Sequence, residues 1–199
     1  MKRILSFLLI FVLIFSFAAC KGKDKEKGTP INITELPKEV FSSSFVFALD
    51  TNDWYSSFTL KNDGSFRGKY YTEKKENTGT DFPNGTIYYC DYYGYFTDIK
   101  KLNDYSYSLT LNKVKTQEHI GKETIENGVK KVITYPYGIE SGEEFILYTP
   151  STPVSEVDSK VLVWWPEFKE HQTNAKETLG SFAIVNVKTN EAFFVRNEK

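Results

Sequence analysis

The stretch from Thr86 to Ile99 limits what this chain can fold into more than any other part of it. Tyr88, Cys90, Tyr92, Gly94 and Phe96 alternate there with Ile87, Tyr89, Asp91, Tyr93 and Tyr95. Successive side chains of a β-strand point to opposite faces, so a period of two describes a strand with two different sides. The set containing cysteine and glycine among rings suits a packed interior. The set that includes Asp91 suits a surface, and its tyrosines need not all be buried.

The same period recurs on either side. Phe45 to Leu49 is a short apolar strand, and Trp54, Ser56, Phe58 and Leu60 share one face of the next. Asn62-Asp63-Gly64 closes that run and Phe66, Gly68 and Tyr70 resume it; a glycine accepts the positive φ that a tight hairpin needs. Glu73 to Gly85 reads as a polar loop. Asn103-Asp104 turns the chain into a strand carrying Tyr105, Tyr107, Leu109 and Leu111. Asn127-Gly128 marks a hairpin tip between Glu123-Thr124-Ile125 and Val129 to Tyr135, and Gly142 to Tyr148 reads as a further strand.

After Thr149-Pro150-Ser151-Thr152-Pro153 the period changes. Val154, Val157, Val161 and Trp164 fall at helical spacing, with Thr152 placed to cap and Pro153 to open the helix. Phe182 to Val187 and Ala192 to Val195 then form a final hairpin. The expectation is a mainly β chain of antiparallel strands closing into a barrel, with a two-sheet sandwich as the alternative and one short helix late in the chain. A barrel is favoured because consecutive hairpins need no long crossover until Lys113, and closure protects strand edges.

The N-terminus carries different information. Lys2 and Arg3 precede an uncharged run, Ile4 to Ala19, that ends at Phe17-Ala18-Ala19-Cys20. A positive head, an apolar stretch and small residues before a cysteine make an export signal, and the run is shorter than the ~20 residues that span a bilayer comfortably. The pattern resembles the lipobox of bacterial lipoproteins, with Phe17 where leucine is usual. That resemblance implies cleavage after residue 19 and lipid on Cys20, which would tether the protein to the outer face of the bacterial cytoplasmic membrane. Lys21 to Gly28 is charged, without apolar residues, and reads as a solvated tether. Residues 1–19 are therefore expected to be a signal peptide, 20–44 a lipidated cysteine and flexible tether, and 45–199 a barrel domain.

Charge and cysteine content exclude several functions. Losing Lys2 and Arg3 leaves 23 of 25 basic residues against 26 acidic ones, about −3, so nothing favours a nucleic-acid backbone. With Cys20 used by lipid, Cys90 has no internal disulfide partner and reads as a small buried hydrophobe. His119 and His171 lie far apart, without ligand-spaced partners. Gly138-Ile139-Glu140-Ser141-Gly142 has its serine one place too late for a nucleophile elbow. Glu143 and Glu144 are adjacent, so on a strand they face opposite ways. No catalytic residue, metal ligand or cofactor is assigned, and the chain is not expected to be an enzyme. A hydrolase with a dispersed site would need a polar cleft holding two carboxylates, or a Ser-His pair, in contact.

Aromatic residues make up 16% of the chain, enough to serve both as core and as a ligand surface. Trp54, Phe58, Tyr88, Tyr92, Phe96 and Tyr107 are expected inside. The candidate ligand-binding residues are Trp54, Tyr89, Tyr93, Tyr95, Trp164 and Trp165; adjacent Trp164 and Trp165 cannot enter the same core.

Asp53-Trp54, Phe58-Thr59-Leu60, Asp63 to Gly68 and Tyr70 look like a lipocalin-type opening, although Asn52 stands where a lipocalin has the glycine of Gly-x-Trp. With Tyr88 to Phe96 and Gly138 to Pro150, the chain is similar to surface lipoproteins of Gram-positive bacteria with a lipocalin-like, calycin-type barrel. This resemblance implies a barrel and carries no activity to particular residues. The functional expectation is a lipid-tethered, non-enzymatic domain that binds a small apolar or glycan ligand or an envelope component. The alternative is a protein-interaction or scaffold module.

Overall fold

The computed structural model describes residues 36–48 and 53–196. The segment read as a signal peptide, Cys20 and the expected tether up to residue 35 lie outside the described residues. The strands are β1 (Ser44–Phe47), β2 (Trp54–Leu60), β3 (Ser65–Lys74), β4 (Thr86–Lys101), β5 (Ser106–Thr116), β6 (Glu123–Glu126), β7 (Val129–Ile133), β8 (Glu144–Tyr148), β9 (Ala183–Asn186) and β10 (Ala192–Val195). Eight of them close an antiparallel barrel in the order β1-β2-β3-β4-β5-β8-β9-β10, with β10 back on β1. The architecture is lipocalin-like, and the ring of pairings leaves no break that would make two sheets.

The β6–β7 hairpin stands outside this ring. Its turn is Asn127-Gly128, as the sequence suggests, but β7 runs parallel to the start of β4, from Thr86↔Lys130 to Tyr89↔Ile133. One edge of β4 therefore serves two partners: β7 up to Tyr89, then β5 from Tyr92. Alternation in a sequence shows which face a residue takes and is silent about which strand lies alongside.

The barrel interior is filled with its own rings. Phe45, Phe47, Phe58, Phe66, Tyr92, Phe96, Phe145 and Phe193 are each at most 2% exposed. They meet across the barrel, Phe58 with Phe193 at 5.0 Å, Phe66 with Phe96 at 5.0 Å and Phe96 with Phe145 at 5.3 Å between centroids. Two glycines make this density attainable. A Cβ on Gly68 would lie 2.4 Å from Tyr92 Cζ and 2.3 Å from Ser57 O, and one on Gly94 would lie 2.5 Å from Phe66 Cζ and 2.1 Å from Lys113 O. Near its end β4 bulges at Asp98, which lies in the left-handed region (φ 49°), so that Phe96 and Ile99 both turn inward.

Both barrel ends are covered. A 3-10 turn, Lys38–Ser42, lies against β2 and sends Leu36 and Val40 into the core. These residues fall in the segment read from sequence as tether; their apolar side chains fold them onto the barrel instead. At the other end a strap of residues 134–142 crosses the mouth. Ile139 is fully buried, Gly138 lies under Phe47 and Phe193, and buried Asn186 Nδ2 donates to Gly138 O at 3.0 Å.

The insert between β8 and β9 builds a second core on the outside. Val154, Val157, Val161, Leu162, Trp165 and Leu179 pack against Ala183, Val185, Ala192 and Phe194, so β9 is buried on both faces. The late helical segment is present in pieces: a 3-10 turn Val154–Glu156, α1 (Ser159–Leu162) and α2 (Phe168–Thr173). Val157 is extended, and Asp158 restarts the helix by accepting from Lys160 N at 2.8 Å. The cap expected at Thr152 is not formed; its hydroxyl donates to Tyr105 O at 3.1 Å and ties the insert to the barrel. No helix among the described residues is long and apolar enough to cross a membrane.

Candidate functional site

The six aromatic candidates separate into three places. Trp54 and Trp164 meet edge to face at 6.2 Å, both against Phe47, at 5.0 and 4.6 Å. With half-exposed Tyr137, 5.9 Å from Phe47, they help plug the barrel mouth. Trp165 belongs to the outer core, 2% exposed, with its indole N–H unpartnered. The two tryptophans thus part as their adjacency requires. Tyr89, Tyr93 and Tyr95 all lie on the outer face of β4.

That outer face continues across neighbouring strands in rows set by the register. Tyr55, Tyr71 and Tyr89 stand side by side on β2, β3 and β4, with the Tyr55 and Tyr71 rings stacked at 5.9 Å. In the next outward row Lys69 is opposite Asp91. Beyond it Tyr93, 44% exposed, has Arg67 on one side and Lys115 on the other, and Tyr95 sits beside Lys113. Among the described residues, none of Arg67, Lys69, Lys113 and Lys115 takes part in an ion pair, whereas Lys130 and Lys131 on β7 are bonded to Glu123 and Glu126. The wall combines aromatic faces with unmatched cations in a chain whose overall charge is near zero.

Three surface clefts follow this wall. One of about 280 Å³ is lined by Tyr55, Tyr71, Tyr89 and Lys69. A second, of about 390 Å³, shares Lys69 and Asp91 with the first and adds Arg67 and Gln117. A third, of about 750 Å³, shares Gln117 with the second and lies between the end of β5 and the strap, lined by Lys115, Glu118, His119, Tyr135 and Glu140. It exists because β5 outruns β8. The two strands are paired from Ser106↔Tyr148 to Thr110↔Glu144, Leu111 N–H reaches Glu143 O at 2.7 Å, and the strap then diverges.

Glu140 is the least satisfied acid in this region. Burial pushes its carboxyl above the usual range and Glu191 adds to the push, while backbone N–H groups of Glu140, Ile139 and Gly138 oppose it. Its Oε2 is closed off from solvent and has no hydrogen-bond partner. Glu118, in the same cleft, is bonded to Lys122. Among the described residues no group of three or more His, Cys, Asp or Glu is arranged to hold a metal ion. Cys90 is buried and free, and burial lifts its thiol to about 12, far from a reactive thiolate at neutral pH.

Sequence reasoning placed the outward tyrosines of β4 and missed their company. Tyr55 and Tyr71 carried a signal, as the odd positions of strands whose even positions are core. Glu140 carried none, since its segment stood out only as a serine motif in the wrong frame.

No family model, curated protein or solved structure matches this chain. Its class therefore rests on architecture: a lipocalin-like barrel with a filled interior and an aromatic, cationic outer wall.

Proposed function

We propose that this protein is an extracytoplasmic lipoprotein, anchored by lipid on Cys20 to the outer face of a bacterial cytoplasmic membrane, whose barrel binds an envelope component on its outer wall. The anchor rests on the ordering of Lys2-Arg3, the apolar run and Phe17-Ala18-Ala19-Cys20. The single observation that carries the binding reading is the set of rows Tyr55-Tyr71-Tyr89 and Arg67-Tyr93-Lys115 on the outer wall, where Tyr93 is 44% exposed and, among the described residues, Arg67 and Lys115 make no ion pair. Ring faces pack on sugars or other extended groups, and unpaired Arg and Lys attract anionic ones. A chain of clefts sharing lining residues fits an elongated, anionic glycan polymer better than a compact ligand. The packed interior turns the binding reading outward.

Two measurements test it. Full-length protein in detergent is expected to co-sediment with purified cell-wall fragments, with affinity falling at least tenfold when Tyr93→Ala and Lys69→Ala are combined; unchanged binding would contradict the wall. A palmitate analogue should label the wild type and not Cys20→Ala, and equal labelling of both would remove the anchor.

The reading as a protein-interaction module has one observation of its own. Among the described residues the outer edge of β6 is unpaired, and the residues of β6 are all exposed, Ile125 at 49%. Ile125→Lys should disrupt capture of a partner protein and leave binding to wall fragments intact.

A further inference from the structure

The cleft beside the end of β5 has a polarity that the wall does not share, and it goes beyond the wall-binding reading. Its two sides differ. The β5 side brings His119 and Lys115, which has no ion pair among the described residues; the strap brings Glu140 and Tyr135, the latter 59% exposed. The other acid in the cleft, Glu118, is already matched by Lys122. Glu140 is not: it belongs to none of the ion pairs among the described residues, and no cation is among the groups that act on it. Only backbone N–H groups oppose the burial of its carboxyl, and its Oε2 has no donor. A carboxylate removed from water without a compensating charge is costly to keep, and the cost falls when a ligand supplies one. The exposed face of Tyr135 on the same side offers a second attraction for a cation.

We propose that this cleft is a binding site for a zwitterionic group, its ammonium held on the Glu140–Tyr135 side and its anionic group on the Lys115–His119 side. The opposed charges orient the ligand: reversing it would set ammonium against Lys115 and anion against Glu140, a like-charge arrangement on both sides. Such a group can arrive as a free small molecule or as the amine-bearing unit of a polymer. An ammonium beside Glu140 opposes the rise that burial causes in its carboxyl, so ligand uptake releases a proton wherever Glu140 is partly protonated.

Calorimetric titration of full-length protein in detergent micelles tests the site with phosphoethanolamine, ethanolamine, inorganic phosphate and chitosan oligosaccharide as probes. Phosphoethanolamine is expected to bind more tightly than either half alone. Glu140→Gln should weaken phosphoethanolamine and ethanolamine about tenfold while leaving phosphate unchanged, and Lys115→Gln should weaken phosphoethanolamine and phosphate while sparing ethanolamine. Exposed Tyr135→Ala, which leaves the strap's buried contacts in place, should weaken the amines about threefold. Chitosan carries the amine without the anion and should bind more weakly than phosphoethanolamine, and tighter chitosan binding would overturn the zwitterion assignment. Competition of purified cell-wall fragments with phosphoethanolamine makes the zwitterion polymer-borne, and lack of competition assigns a free one. The proposal is overturned if no amine probe binds the wild type, or if Glu140→Gln binds them equally well. Neither result touches the wall, whose test uses Tyr93 and Lys69.

Discussion

The two faces of β4 are built from nearly the same residue types and do opposite things. Inward, Tyr92 is fully buried, shares a hydrogen bond of 3.1 Å with Ser56 Oγ and donates to Ser57 O at 3.1 Å, and its ring lies over Gly68. Outward, Tyr93 is one residue away, 44% exposed, between Arg67 and Lys115, which make no ion pair among the described residues. Tyrosine on one side is committed to the fold; on the other it is spare. A high aromatic content therefore does not by itself mark a binding protein. What marks one is aromatic surface left over after the core is complete.

The largest expected effect comes from disturbing the inner face. Phe58→Ala should destabilise by about 3–5 kcal/mol, since its ring touches Phe45, Phe66 and Phe193 and nothing can close the gap. Gly94→Ala, whose Cβ would meet backbone and ring, should cost about 1–3 kcal/mol. Chemical denaturation measures both, and a loss under 0.5 kcal/mol for Phe58→Ala would mean the interior is looser than its contacts imply.

Smaller effects separate the two tyrosines. Tyr92→Phe leaves buried Ser56 Oγ without its partner and should cost roughly 1 kcal/mol, whereas Tyr93→Phe should stay within about 0.5 kcal/mol. Equal losses would erase the distinction between the faces. Cys90, on the inner face, should resist thiol reagents at neutral pH until the protein unfolds, because its thiol is pushed up to about 12. Rapid labelling of the native protein would show that the barrel opens there.

The smallest effect is a pH dependence at the strap. Burial raises the Glu140 carboxyl above its ordinary 4.5, so the folded state holds that proton more tightly than the unfolded chain. The associated stability is fully present below about pH 4.5 and is lost as pH rises through the raised value. Glu140→Gln should therefore match the wild type in melting temperature near pH 4 and exceed it at pH 7. A variant less stable than wild type at pH 7 would mean that the backbone N–H groups around Glu140 outweigh its burial.

The barrel was legible in the sequence because period-two alternation reports burial directly. Cys90 to Phe96 and Ser56 to Leu60 take the faces their spacing assigns, and the turns at Gly64 and Asn127-Gly128 lie where expected, whereas Tyr88, expected inside, stays partly exposed with its hydroxyl accepting from Asn77 Nδ2. What alternation does not encode is partnership between distant strands. The parallel seat of β7 on β4 and the strap beneath the mouth follow from closure of the whole ring. The helical insert was misjudged locally, since Val154, Val157 and Val161 keep helical spacing through a break that Asp158 imposes. Half of the candidate surface was visible as Tyr89, Tyr93 and Tyr95. Its cations and Glu140 come from other strands and a connecting segment, and only the fold brings them alongside.

Tyrosine nitration of the full-length protein in detergent, mapped by mass spectrometry with and without bound cell-wall fragments, tests the central claim most directly. Without fragments Tyr93 should react and Tyr92 should not. With fragments, Tyr93 and the neighbouring outward tyrosines Tyr55, Tyr71 and Tyr89 should become protected while Tyr92 stays silent. Unchanged reactivity along the outer row, or a change confined to Tyr92 and the barrel mouth, would contradict binding on the outer wall.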